Sequence, residues 1–288
     1  MALDPTPVAD PHNECRAAPR TGGGRVATTT EEPLRVTQHG PVRCLELNRP
    51  ARRNALDPAL VAAFTAALAD AGRDRATAAL LLTGTGPSFC TGADLQHLLA
   101  LADAGESPVP FLRSVSDLTR RIELSPVPVV AVLHGHAVAG GLEIALACDV
   151  VVAESGTLIG DGHIRNHLVP GAGSAVRIRR KLGDSLGRWL ALSGELLPVE
   201  RFGTAGWLHS VVDAGCGTHE GREIARTLAT AAGPAQTAFK ELLAGLDEQP
   251  AVEAGLTLEL QAFDRHWASH DVPTQLRRFL SRHSEGSS

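Results

Sequence analysis

The sequence predicts an α/β protein, a core of sheet buried on both faces followed by a C-terminal subdomain of helices alone. Three observations predict it. The segments AALLLTG (78–84), VVAVL (129–133) and DVVVAE (149–154) are apolar at successive positions, so both sides of each strand are covered. Helix-forming stretches alternate with these strands, the pattern of an α/β core. After about residue 219 the strand pattern stops, and Ala225–Ala232, Ala235–Leu246, Val252–His270 and Pro273–His283 read as helices separated by Gly-Pro, Gln-Pro and Val-Pro breaks. The expected organisation is a tail over 1–33, an α/β core over 34–218 and a helical subdomain over 219–288.

Each element has a local cause. Residues 1–33 are rich in Pro, Gly, Thr and charge, and are expected to be disordered. LRVTQHG and VRCLELN alternate around His39-Gly40-Pro41, which reads as a hairpin. Asp57 followed by Pro58 supplies a cap and a first-turn proline for the helix ALVAAFTAALADAG. In ALLLTGTGPSFCTGADLQHLLA (79–100) an apolar strand enters a loop with Gly84, Gly86 and Gly92, and a helix starts near Asp94. VPVVAVL (127–133) and HGHAVAGGLEIALACD (134–149) repeat that strand–glycine–helix junction. Leu98–Pro110, with its Gly and two prolines, is expected to be a loop walling the pocket.

Composition limits the function. Among 288 residues, 43% are apolar and 20% charged, and a net charge of −5 without a basic block gives no support for nucleic-acid binding. An aromatic content of 3% also argues against base-stacking platforms. Cysteines 15, 44, 90, 148 and 216 are scattered with no CxxC, which suggests reduced thiols and a cytoplasmic setting. The N-terminus has no signal-peptide core, and His134, His136, Glu143 and Asp149 interrupt the longest apolar run, so no membrane span is expected. No group has metal-ligand spacing, and His134 and His136 lack a nearby partner of ligand type. Those two histidines and His167 are expected to be structural or peripheral.

Glu143 stands out. Every other residue from Leu142 to Cys148 is apolar, so the helix is buried all round and its carboxylate needs a purpose. A capping box would require Ser or Thr at 140, which is Gly. The two helix starts carry amides without intrahelical partners, and facing each other they could aim one N–H each at a single oxygen. That is an oxyanion hole for a thioester carbonyl becoming an enolate, and the small residues Ala93, Gly140 and Gly141 would let a flat substrate approach the backbone.

SFCTGADL, PVVAVLHGHAVAGGLEIALACDVVVAE and LVPGAGSAVRIRRKLG resemble, in order, the successive motifs of the crotonase (enoyl-CoA hydratase/isomerase) superfamily. LELNRPARRNALD (45–57) is similar to its N-terminal CoA-contacting segment and LALSGELLPVERFGTAGWLHSVVD (190–213) to its later helix pair. The resemblance covers roughly 34–283. It implies a crotonase-type spiral of ββα units in two roughly perpendicular sheets with C-terminal helices, commonly assembled as homo-oligomers, trimers or hexamers. It implies no cofactor beyond coenzyme A carried by an acyl-CoA substrate, and no metal.

By motif position the resemblance puts the oxyanion amides on Ala93 and Gly140, with Ala139 where the family usually has a further glycine. Glu143 takes the place of the first catalytic glutamate. The second, seven residues before Pro170, is replaced by His163, with Asp161 two residues earlier on the same face if the segment is extended. Ala55, Gly92, Asp94, Leu95 and Gly141 are implied to line the substrate. Arg52, Arg53, Arg278, Phe279 and Arg282 match positions that contact CoA, although a solvated charge is the ordinary reading of such arginines.

The expected activity is that of an enoyl-CoA hydratase-like lyase. Glu143 would activate water, His163 would donate or take the second proton, and the amides of Ala93 and Gly140 would hold the enolate. The alternative is C–C hydrolysis of a β-diketone. Family members of that kind use a histidine at this place with an Asp inside PGDG, where this chain has Ala172, so the dyad would need Asp161. An enoyl-CoA isomerase, which relies on the missing glutamate, and a non-catalytic acyl-CoA-binding homologue are the further readings.

Overall fold

The computed structural model describes residues 32–231, 233–247, 251–269 and 271–284. The expected tail therefore lies almost wholly outside the described residues. Glu31–Ser288 form one compact unit.

The chain opens with β1 (Leu34–His39) and β2 (Val42–Leu47), an antiparallel hairpin pairing Leu34 with Leu47 and turning at Gly40, whose φ is +59°. Asp57 then caps α1 (Pro58–Arg73) by accepting from the Leu60 amide at 2.8 Å. The following order is β3 (Ala79–Gly84), α2 (Leu95–Asp103), α3 (Val109–Glu123), β4 (Val129–Leu133), β5 (His136–Val138) and α4 (Gly140–Ala147). Next come β6 (Val150–Glu154), β7 (Leu158–Gly160), a 3-10 turn (His163–Asn166), α5 (Ser174–Leu182) and α6 (Asp184–Ser193). The chain ends with β8 (Leu197–Pro198), β9 (Ser210–Val212), α7 (Gly217–Thr230), α8 (Pro234–Asp247), α9 (Ala251–Ser269) and α10 (Val272–Ser284).

One sheet has the order β1-β2-β3-β4-β6-β9 and a smaller one β5-β7-β8. Successive turns of chain place a strand in the large sheet and then one in the small sheet before the next helix: β4, β5, α4, then β6, β7, α5. Within the large sheet the alternation of side chains separates two cores. Leu80, Leu82, Val129, Ala131, Leu133 and Val151 face the main core, whereas Leu81, Val130, Val132 and Val152 face Ala225 of α7.

Several expected boundaries differ. α7 begins at Gly217, eight residues before the expected start, because its sheet-facing stripe is Gly217, Gly221 and Ala225. A Cβ on Gly221 would meet Val132 at 2.4 Å, so this glycine is there for close packing. The expected loop Leu98–Pro110 is helical through Asp103, and Pro110 sits in the first turn of α3, where a missing N–H costs nothing. The stretch 190–213, likened to a helix pair, holds the end of α6, β8, a 3-10 turn (Val199–Phe202) and β9. Cys44, Cys90 and Cys148 are buried free thiols, but Cys216 is disulfide-bonded, against the expectation of reduced thiols throughout. It is half-buried at the start of α7.

Candidate active site

The two strand–helix junctions meet through their backbones. The segment ending at Ala93 runs between Leu56 on one side and β5 on the other, with bridges Leu56–Ala93 and Cys90–Ala137. Leu56 donates to Gly92 O and accepts from the Asp94 amide, both at 2.8 Å. Backbone groups alternate along an extended segment, so the Ala93 amide points away from Leu56, to the side of Gly140. A Cβ on Gly92 would lie 3.0 Å from Gly140 N, which only glycine allows. Gly141 is as tight, its would-be Cβ 2.2 Å from the Cys90 carbonyl. Neither the Ala93 nor the Gly140 amide has an acceptor among the described residues. Gly140 is the first residue of α4, where an intrahelical acceptor is absent by geometry. The preceding Ala139 holds φ +50° and ψ −116°, a conformation native to glycine.

Glu143 is 2% exposed in a helix whose every residue is buried. Its Oε1 accepts from the amides of Ala172 at 3.1 Å and Ser174 at 3.0 Å, at the start of α5. Burial drives its carboxyl above the ordinary range; the charge of His163 and the two amides oppose this, while Asp161 adds to it. The amide turn is held from behind. Arg177, 3% exposed, makes a bidentate pair with Glu123 of α3 at 2.6 and 2.8 Å, and reaches Ala172 O at 3.2 Å. Thr119 donates to the same carbonyl at 3.0 Å.

Asp161 and His163 form a dyad, with Nδ1 of His163 2.9 Å from Asp161 Oδ1. The segment is not extended as expected. Gly162 adopts φ +67° and His163 starts a 3-10 turn, so the imidazole folds back onto the carboxylate and its own amide also donates to Oδ1 at 3.3 Å. Ser174 Oγ donates to Asp161 Oδ2 in a short bond. Burial pushes Asp161 upward, but the His163 charge and hydrogen bonds with Ser174 overcome it and hold the carboxyl below its usual range.

Ala93, Gly140, Glu143 and His163 line one cavity of about 30 Å³, room for about two waters. Its apolar wall comes from Leu98 of α2, Leu112 and Val115 of α3, Leu168, and Phe263 of α9. Cys90 lies beside it, but burial pushes that thiol up to about 12 and removes it as a nucleophile. A wider groove of about 980 Å³ along α6, edged by Trp189 and Arg188, is open to solvent and contains none of the four. Among the described residues no three His, Cys, Asp or Glu side chains could hold a metal, and no helix is long and apolar enough to cross a membrane.

The other sequence-selected residues divide. Gly92 and Gly141 hold the junction, and Ala55 is buried beside it. Asp94 caps α2 ahead of Leu95 and is ion-paired with Arg49 at 3.1 Å and Arg52 at 3.0 Å. Arg52 thus serves a structural pair and Gln96, while Arg53 is exposed on a left-handed backbone. Arg278 and Arg282 are exposed on α10, which packs against α2 through an Arg277–Asp103 pair, and do not line the cavity. The Phe279 side chain lies outside the described residues. His134 bonds Gly86 O at 3.2 Å and His136 bonds Ser88 Oγ at 3.1 Å, both through the ring. Sequence reasoning missed Ser174, Arg177 and Phe263. Ser174 offered one signal, a hydroxyl at a glycine-preceded helix start.

The comparisons agree with this architecture. A family profile described as enoyl-CoA hydratase/isomerase matches residues 37–285. A 2,3-dehydroadipyl-CoA hydratase of Escherichia coli is 32% identical over 251 residues, 86% of this chain and 96% of that protein. The crystal structure of an enoyl-CoA hydratase from Mycobacterium tuberculosis is 34% identical with a TM-score of 0.71, covering 82% of this chain and 100% of the other. An enoyl-CoA hydratase/isomerase from Pseudoalteromonas atlantica gives a TM-score of 0.78 at 27% identity, covering 87% and 97%. The fold is the crotonase spiral, and the chain belongs to the enoyl-CoA hydratase/isomerase family of enzymes, within the crotonase superfamily.

Proposed function

We propose that the protein adds water to, or removes it from, a 2-enoyl-CoA thioester. The observation that carries this is a single cavity lined by Ala93, Gly140, Glu143 and His163. The amides of Ala93 and Gly140 donate to the thioester oxygen and stabilise the enolate. Glu143, made more basic by burial, takes one proton from water as its oxygen bonds to C3. Asp161 engages Nδ1 of His163 and favours the imidazolium, which delivers its Nε2 proton to C2. Hydroxyl and hydrogen end on C3 and C2, and proton transfer between the two groups and solvent restores the starting state. Coenzyme A comes with the substrate, and no other cofactor is part of the proposal.

The exposed cations Arg53, Arg278 and Arg282 would meet the phosphates of CoA, a contact that salt weakens. The proposal extends to a cytoplasmic homo-oligomer, a trimer or hexamer, supported by Phe239 and Leu243, exposed one turn apart on α8. Light scattering on the purified chain checks its mass in solution.

One observation favours a second reading. The Asp161–His163 dyad that C–C hydrolysis of a β-diketone requires is present although PGDG is not. A panel of 2-enoyl-CoA esters and cyclic 1,3-diketones separates the two. Loss of the conjugated enoyl absorbance with no diketone cleavage supports the hydratase; cleavage of diketones alone reverses the order.

A further inference from the structure

We infer that Ser174 is a positioning residue that ties the two proton-transferring groups together and fixes which nitrogen of His163 faces the cavity. The inference rests on the hydratase reading for its kinetic consequence, but not for its structural one.

Ser174 is 1% exposed and is the first residue of α5. Its amide donates to Glu143 Oε1 at 3.0 Å, and its hydroxyl donates to Asp161 Oδ2. One residue thus touches both halves of the site. A hydroxyl has a single proton to give, and here it goes to Asp161. The other oxygen, Oδ1, receives the His163 amide at 3.3 Å and faces Nδ1 at 2.9 Å. Despite burial, the His163 charge and the bonds from the ring, Ser174 and the His163 amide hold the Asp161 carboxyl below its usual range, which keeps it in the ionised, acceptor-only form. Nδ1 must then be the donor, so Nε2 is the nitrogen that exchanges protons with the cavity, whether the ring is neutral or charged. The charged groups acting on this pair come from separate elements. Glu143 reaches it from α4, and Arg177 of α5 is committed to Glu123 of α3. The ordinary role for a serine here, a helix cap, is not the one observed, because the α5 N-cap is Gly173 and the Ser174 hydroxyl donates to Asp161.

The test is a double-mutant cycle of Ser174→Ala and Asp161→Asn, read both by kinetics on crotonyl-CoA and by nitrogen NMR of the His163 ring. Alanine keeps the amide to Glu143 and removes only the hydroxyl. Ser174→Ala is expected to lower kcat by about ten- to a hundredfold with KM within about twofold. The acid limb of the pH profile should move upward, because Asp161 loses a donor that favours its anion. Asp161→Asn should cost about 10³–10⁴-fold, by analogy with other orienting carboxylates, and the double variant no more than that. In the ring spectrum, taken at a pH where the imidazole is neutral, wild type carries its proton on Nδ1 and Ser174→Ala gives a mixture of tautomers. Losses that multiply, or a ring spectrum unchanged in Ser174→Ala, overturn the inference. If no enoyl-CoA is turned over by wild type, the hydratase reading fails while the ring spectrum still decides the role of Ser174.

Discussion

Ala139 occupies a backbone conformation that a side chain resists, φ +50° and ψ −116°, directly before the Gly140 amide. Such a conformation costs about 1–3 kcal/mol in a residue other than glycine. Ala139→Gly removes that strain. Against it stand two smaller terms. Glycine loosens the unfolded chain, worth about 0.4–1 kcal/mol. The half-buried methyl also loses its packing, about 0.4 kcal/mol at roughly 0.8 per buried CH₂. The balance is a stabilisation of about 1 kcal/mol, or about 2–4 °C in Tm for a chain of this size. Urea unfolding followed by circular dichroism at neutral pH measures it, with the slope checked so that the midpoint reports stability alone. A variant less stable than wild type at unchanged slope would refute the reasoning, because it would mean Ala139 stores no strain.

Three further outcomes follow from buried groups. Arg177→Met leaves Glu123 with the weaker Arg120 contact at 3.4 Å, so unfolding should become easier by about 3 kcal/mol in urea, the low end for a broken buried pair. Arg177 holds Glu123 below its ordinary 4.5 despite burial, so the pair's contribution is complete above that value and fades as pH falls through the depressed folded one. The Arg177→Met penalty should shrink accordingly in acid. Glu143 is shifted the other way, and a raised folded value destabilises progressively as pH climbs from the unfolded value to the folded one. Glu143→Gln should therefore melt higher than wild type at pH 7, with the gain disappearing below the unfolded value, in calorimetry at both pH values. Gly141→Ala drives a methyl into the Cys90 carbonyl and should cost about 3 kcal/mol or prevent soluble expression, read as yield and Tm.

The legible parts of this chain were those where one residue type admits one environment. VVAVL and VVVAE could only be strands covered on both sides, and they are β4 and β6. A carboxylate in GLEIALA could only be a paired or working group, and Glu143 is bonded to two amides. His163 became visible by counting from Pro170 rather than from any pattern of its own. What escaped had two readings with equal local support. Pro108 and Pro110 marked a loop or a helix start, and α3 begins there. Gly217 and Gly221 marked a break or a close contact, and the contact won because α7 lies against Val132. Arg177 sat in the basic run RIRRK, indistinguishable from its solvated neighbours until the fold set Glu123 opposite it. Ser174 depended on Asp161, thirteen positions away. Such choices are settled by tertiary partners, which no window of sequence contains.

The most direct test of the central claim is the initial rate of crotonyl-CoA hydration by wild type, Glu143→Gln and His163→Gln at saturating substrate. If both side chains move protons at one cavity, each variant loses about 10²–10⁴ in kcat while still binding the substrate. Wild-type turnover in either variant would contradict it.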